Sequence, residues 1–240
     1  MQASPEQQSL VLELQLLDNE IMQANTKLKS LPEVEQLLHI DKRIITATDE
    51  VATVKLEADQ ITLELRRGEV DVETVTDRIK KDEVRLASGN ATPKELEQTQ
   101  HEIQTLKKRQ LALEEIELEI MVRSEAVTER SKVLTTDLAS LETLKAEINQ
   151  RLSAATNEIN SFIANKQKDR QAVAVKIEKV LLDLYEKIRT SSGVGAAALV
   201  GNKCNGCNLA INAVEMQRIK TLPLDEVLRC EECRRILVRI

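Results

Sequence analysis

Residues 87–96 read ASGNATPKEL, and the fold of the chain turns on whether they are helical. Gly89 and Asn90 are residue types that accept a left-handed backbone, and Thr92-Pro93-Lys94-Glu95 is a capping box with proline at the first helical position. One helix therefore ends before this stretch and another begins after it. On both sides apolar residues recur every seven positions. Upstream stand Leu37, Ile44, Val51, Ala58, Leu65, Val72, Ile79 and Leu86, joined three residues further on by Ile40, Ala47, Val54, Ile61, Gly68 and Val75, with only the slot at Asp82 failing. Downstream stand Leu106, Leu113, Ile120, Val127, Leu134, Leu141, Ile148, Ala155 and Phe162. A period of seven held this long specifies a left-handed supercoiled seam. The stretch is thus a reversal that folds two helices against each other. The alternative, a parallel dimer of uninterrupted helices, needs Gly-Asn-Ala-Thr-Pro to be helical.

Working outward, a third seam occupies the N-terminus at Leu10, Leu14, Leu17, Ile21, Ala24, Leu28 and Leu31. Ser4-Pro5-Glu6-Gln7 caps its start, and Ser30-Leu31-Pro32-Glu33 repeats part of that signal, which predicts a kink or short break. The expected architecture is mostly α: a long antiparallel coiled-coil hairpin over residues 1–190, with helices over about 5–30, 33–87 and 93–189 and a turn at 88–92. At about 1.5 Å per residue the hairpin is on the order of 120 Å long.

The composition agrees with a thin seam rather than a thick core, for the chain has one Phe, one Tyr and no Trp in 240 residues. Its net charge of −6 is unevenly placed. Residues 193–240 hold 7 basic and 5 acidic side chains, leaving 27 basic against 35 acidic in residues 1–192. An acidic rod with a faintly basic head is a poor general nucleic-acid binder. The opening MQASPEQQ has neither a basic nor an apolar signal region, and nowhere do eighteen apolar residues run together, so a cytoplasmic protein without membrane association is expected.

All four cysteines lie near the C-terminus, as the pairs Cys204/Cys207 and Cys230/Cys233. They follow a glycine-rich hinge, TSSGVG, and a short apolar run that reads as a strand. Residues 191–240 form the second module, and 193–240 hold no aromatic residue, too little material for a self-sufficient core. Reduced thiols in two C-x2-C pairs 22 residues apart suit one tetrahedral, structural Zn2+, with Gly206 permitting the sharp turn of the first knuckle. An iron-sulfur cluster is the minor alternative. Four thiolates leave no open position for water or substrate, so zinc-dependent hydrolysis is not expected. Asn212 caps a short helix through Lys220, and Ile236, Val238 and Ile240 alternate with Leu237 and Arg239, a period of two that reads as a strand. These elements make a zinc ribbon of short β-strands and one short helix.

With the turn GNATPKELEQTQHEIQTLKKR and the terminal CNGC and CEECRRILVR, nearly the whole chain resembles the bacterial family of coiled-coil hairpin proteins with a C-terminal C4-type zinc ribbon. The resemblance implies zinc ligation by Cys204, Cys207, Cys230 and Cys233. One departure is Arg234, where family members often carry Gly just after the final cysteine. It also implies a non-enzymatic regulator or adaptor; some members are linked to alternative sigma factors, export machinery or messenger RNA.

Protein partners along the coiled coil or the ribbon, of unknown identity, are the first expectation. The end of the third seam, around Val173, Val180 and Tyr185, either docks a further helix or packs on the N-terminal helix. The alternative function is RNA or DNA binding through Lys203, Arg218, Lys220, Arg229, Arg234, Arg235 and Arg239 against phosphates. Against it, zinc with four thiolates takes the head from +2 to about 0, and no aromatic side chain is present there to stack on bases. No enzyme is expected: His39 and His101 stand alone, and Glu114, Glu115, Glu117 and Glu119 spread round a helix as a solvated face. Monomer and homodimer both remain open.

Overall fold

The computed structural model describes residues 1–89 and 92–240. The elements are α1 (Pro5–Lys29), α2 (Pro32–Ala87), α3 (Pro93–Ala174), α4 (Lys179–Ser192), β1 (Ala196–Val200), β2 (Lys203–Cys204), α5 (Ala213–Thr221), β3 (Leu228–Arg229) and β4 (Ile236–Arg239). Of the expected reversal, Asn90 and Ala91 lie outside the described residues. At its flanks Gly89 has φ 65°, and Thr92 closes the capping box: its N–H donates to Glu95 Oε2 at 2.8 Å, and its Oγ1 accepts from the Glu95 N–H at 3.4 Å. The Thr92 hydroxyl and N–H hold the Glu95 carboxyl below its ordinary pKa. The chain forms two compact units, one of residues 35–149 and one of residues 1–34 with 150–240.

In the 35–149 unit, α2 and α3 run antiparallel. Their cross-helix ion pairs show it: Asp41 meets Lys145 at 2.7 Å, Glu57 meets Arg130, Glu64 meets Arg123 at 3.2 Å and Glu83 meets Lys107 at 2.7 Å. These pairs are exposed and each contributes little. Stability comes from the seam between them, buried as clusters around Ile40, Ala47, Leu141 and Ile148, around Val54, Ile61 and Val127, and around Val75, Ile79 and Ile103. The failed slot is not a gap. Asp82 is buried in the seam and accepts from Arg78 Nε at 3.1 Å, so the charge has a partner where the pattern lacks a hydrocarbon.

In the other unit, α1 packs on the end of α3. The break expected at Ser30-Leu31-Pro32 is present, between Lys29 and Pro32. Leu31 closes a cluster with Ile159 and Ile163. Phe162, expected in the seam, is exposed instead and lies against Lys166, because the buried row has moved to its neighbours at 159 and 163. The helix expected over 93–189 is also divided, with α3 ending at Ala174 and α4 starting at Lys179. No proline or glycine marks this break. It is stabilised from α1, where Gln7 Nε2 donates to Lys176 O at 2.9 Å and Gln7 Oε1 accepts from the Glu178 N–H at 2.8 Å. The turn lets Ile177, Leu181 and Tyr185 enter a core with Val11, Leu14 and Val173. Val173 and Tyr185 thus pack on the N-terminal helix, while Val180 is exposed.

The four-stranded sheet has the order β2-β1-β4-β3. Its centre is the parallel pair β1 and β4, with Ala196 opposite Ile236 and Ala198 opposite Val238; β2 and β3 add antiparallel edges. Parallel neighbours need a long crossover, and here it contains the first knuckle and α5. One face, Ala196, Ile236 and Val238, enters the core of α1 and α4. The other, Ala197, Leu199 and Leu237, packs with Cys204, Cys230, Ile219 and Leu228. The strand read at 236–240 is present as β4, and Ile236, Leu237 and Val238 are all buried, because this central strand is covered on both faces. Ile240 is exposed beyond its end.

Candidate metal centre

Each cysteine pair begins at the end of a two-residue strand, and the two turns are alike bond for bond. In the first, Asn208 N–H donates to Cys204 O at 2.8 Å and Cys204 N–H donates to Leu209 O at 3.1 Å. In the second, Arg234 N–H donates to Cys230 O at 2.9 Å and Cys230 N–H donates to Arg235 O at 3.0 Å. Asn208 and Arg234, the residues after each second cysteine, have φ 61° and 62°. The knuckles bring Cys204 Sγ to 3.8 Å from Cys233 Sγ and Cys207 Sγ to 3.9 Å from Cys230 Sγ, and all four sulfurs lie within 4.8 Å of one another.

These separations fit one metal ion. A tetrahedron with Zn–S bonds of about 2.3 Å has edges of about 3.8 Å, whereas a disulfide needs sulfurs at about 2.05 Å. Among the described residues, no other cluster of His, Cys, Asp or Glu could hold an ion. His39 and His101 are exposed on their helices. Backbone N–H groups also point at the sulfurs: those of Gly206 and Cys207 at Cys204, that of Leu209 at Cys207 and that of Arg235 at Cys233. Burial raises the Cys204 thiol and pushes Cys233 up to about 12, while the Leu209 N–H lowers Cys207.

Gly206 does not have a positive φ. A Cβ there would lie 2.8 Å from Ala197 Cβ and 3.1 Å from Arg235 Cδ, so the glycine lets the knuckle lie flat on β1 and Arg235.

A CT398-like coiled coil hairpin domain model matches residues 14–193, and a C4-type zinc ribbon domain model matches residues 203–237. This chain belongs to the CT398-like coiled coil hairpin family. It is 30% identical, over its whole length and 98% of the relative's, to an uncharacterized protein of Mycobacterium tuberculosis. A solved structure from Mycobacterium smegmatis is 29% identical with TM-score 0.83, each chain covered completely. CT398 from Chlamydia trachomatis, 19% identical with TM-score 0.62 over 98% of both chains, shares the fold. The CT398-like hairpin here thus ends in a C4-type ribbon whose donor set suits one structural zinc.

Arg234 is the departure noted from this CT398-like family, and its left-handed backbone shows that the turn forms with a side chain present. An L-residue there carries roughly 1 kcal/mol of strain that glycine lacks. Arg234→Gly is expected to stabilise the ribbon by about that amount, lengthening zinc retention against a chelator roughly fivefold. Competition with a chromophoric chelator measures it.

The seven cations named as phosphate contacts divide into two groups. Arg239 donates to the carbonyls of Ile219 at 3.2 Å, Leu222 at 3.0 Å and Glu226 at 3.3 Å, tying α5 and the following loop to β4. Arg235 donates to Gly206 O, joining the knuckles. Arg218 forks onto Glu215, which lowers the carboxyl's pKa. Arg229 Nε donates to Arg234 O at 3.0 Å. Lys203, Lys220 and the Arg234 side chain are exposed.

Sequence reasoning missed the joint that seats the ribbon. Gln15, buried on α1, accepts through Oε1 from the Gly195 N–H at 2.6 Å and the Ala196 N–H at 3.1 Å, capturing β1 at its first residues. Beside it the Tyr185 hydroxyl donates to Asp18 Oδ2 at 2.7 Å, and Arg170 Nε donates to Asp18 Oδ1 at 2.6 Å. Burial is the main reason the Tyr185 phenol is raised, and the Asp18 bond raises Arg170. Gly195 lies under the ring: a Cβ would sit 2.6 Å from two Tyr185 ring carbons. The glycine-rich hinge is a packed joint at this point. Val11, apolar and outside the heptad seam of α1, was a signal shared with Leu12, Leu16 and Met22; of these Val11 is the fully buried one.

Proposed function

We propose that this protein is a non-enzymatic adaptor whose zinc ribbon, packed on α1 and α4, is a protein-docking head. The observation that carries this reading is the ribbon's surface. Val214, Leu224 and Ile240 are 82%, 68% and 86% exposed. A shallow groove of about 540 Å³ beside Leu224 and Ile240 is lined by Leu199, Met216, Ile219 and Leu222, with Lys220 and Arg239 at its edge. Exposed aliphatic side chains around a groove suit a protein partner, whereas phosphate recognition relies on free cations and base stacking on aromatic rings. Arg218, Arg235 and Arg239 are engaged within the ribbon. Four thiolates complete a tetrahedron, which supports a structural metal over a catalytic one. No helix among the described residues is long and apolar enough to cross a membrane, in keeping with the cytoplasmic site proposed here.

Affinity capture from the native cell, with and without nuclease, tests the proposal. Partners retained after nuclease and lost with Leu224→Asp plus Ile240→Asp are the expected result. Partners lost on nuclease, and lost with Lys203→Glu plus Lys220→Glu, would establish the RNA or DNA reading in its place.

A further inference from the structure

Each knuckle turns one sulfur inward and one outward. Cys204 and Cys230 are buried, whereas Cys207 and Cys233 are half-buried and reach solvent. Close sulfur pairs run across the knuckles, Cys204 with Cys233 at 3.8 Å and Cys207 with Cys230 at 3.9 Å, so each joins an inner sulfur to an outer one. A disulfide needs about 2.05 Å, which leaves each pair about 1.8 Å from bonding. The surroundings are electropositive. Lys203, Arg229 and Arg234 are chain neighbours of the ligands and Arg235 reaches across to Gly206 O, against the two carboxylates of Glu231 and Glu232. Partly exposed thiolates among cations are the ones that oxidants reach.

We propose that these cysteines are a redox modification site, at which hydrogen peroxide exchanges the metal for two disulfides across the knuckles, Cys204–Cys233 and Cys207–Cys230, without unfolding the ribbon. The Cys207 thiolate attacks the peroxide: an S–O bond forms, the O–O bond breaks, and the departing hydroxide takes a proton to become water. The Cys230 thiolate then attacks the Cys207 sulfur: the S–S bond forms, the S–O bond breaks, and a second hydroxide leaves as water. Cys233 and Cys204 react in the same way. Four thiolates are thus oxidised by two peroxides, four protons are consumed and four waters form. With its ligands consumed, Zn2+ is released.

The ribbon keeps its fold because of where the new bonds lie. Each ties residues 204–207 to residues 230–233, as the metal does, and spans 29 or 23 positions, so each restricts the unfolded chain. The helical side of the sheet, held by Tyr185 and Gln15, takes no part in the exchange. Disulfides within Cys204/Cys207 and Cys230/Cys233 would instead leave the two knuckles unjoined.

Peroxide treatment of the full zinc-loaded chain is the test, followed by a chromophoric chelator, by mass spectrometry of unreduced proteolytic peptides and by amide exchange. The expected result is one zinc released per chain, cross-links between Cys204 and Cys233 and between Cys207 and Cys230, and protection kept in β1 and β4. Dithiothreitol with added zinc restores the starting state. A sulfenic-acid trap present during brief oxidation labels Cys207 and Cys233 at least about tenfold more than Cys204 and Cys230. Disulfides within a C-x2-C pair, protection lost on oxidation, equal labelling of inner and outer sulfurs, or zinc retained in excess peroxide would each overturn the proposal.

Discussion

Replacing Cys204 with Ser is expected to abolish stoichiometric zinc and to unfold the zinc side of the ribbon while the helices persist. The sulfurs of Cys204, Cys207, Cys230 and Cys233 hold the two knuckles together, and little else on that face does, since its cluster is built from Ala197, Leu199, Ile219, Leu228 and Leu237 around the cysteines themselves. Metal ligation in a site of this kind contributes on the order of 10 kcal/mol, as much as those side chains together supply by burial. Metal analysis and amide exchange read the result: protection is lost over residues 203–235 and kept in α2 and α3. A protected, metal-free ribbon would mean that the apolar face suffices. The pH dependence has a definite sign. In the folded knuckles burial pushes Cys233 up to about 12 and raises Cys204, so zinc must displace protons from these thiols to bind. Affinity therefore falls as pH falls, and zinc uptake releases protons into a weakly buffered solution.

Tyr185→Ala is expected to destabilise the unit of residues 1–34 and 150–240 by about 4 kcal/mol, the range for removing a buried aromatic side chain. Its ring fills the core shared by α1, α4 and the sheet, and its hydroxyl bonds Asp18, which the variant leaves with Arg170 as its nearest partner. Urea denaturation gives the loss. Amide exchange should show β1 released near Gly195 and Ala196, while zinc remains bound, because the knuckle bonds are local to residues 204–209 and 230–235. The two variants thus separate the ribbon's supports. Cys204→Ser removes the metal side and Tyr185→Ala the helical side. If Tyr185→Ala also expelled zinc, the two faces would be one cooperative structure.

Much of the architecture was legible because it rests on local chemistry. Ser4, Thr92 and Asn212 cap helices where their residue types and spacing say they should, each with its side chain accepting the predicted N–H. Pro32 and Pro93 start helices at the first position. The misreadings have a common origin. The break between α3 and α4 and the exposure of Phe162 both depend on what arrives from elsewhere in the chain. A heptad pattern specifies that a helix has a partner, and does not specify where the partner ends.

By itself the sequence determined that the chain is a helical hairpin with a reversal near Gly89, and that four cysteines at the C-terminus form a C4 metal set. Both follow from short-range rules: a seven-residue period, capping boxes, and the reach of a C-x2-C turn. Only the tertiary structure decided how the ribbon is held. Residues 193–240 cannot enclose a core alone, and the missing half comes from Val11, Leu14, Leu181 and Tyr185, with Gln15 fixing the first strand. Val11 and Leu14 lie more than about 220 positions before Ile236, which they support. Nothing in their local spacing records that distance, because hydrophobic burial has no direction along the chain and depends only on which surfaces meet.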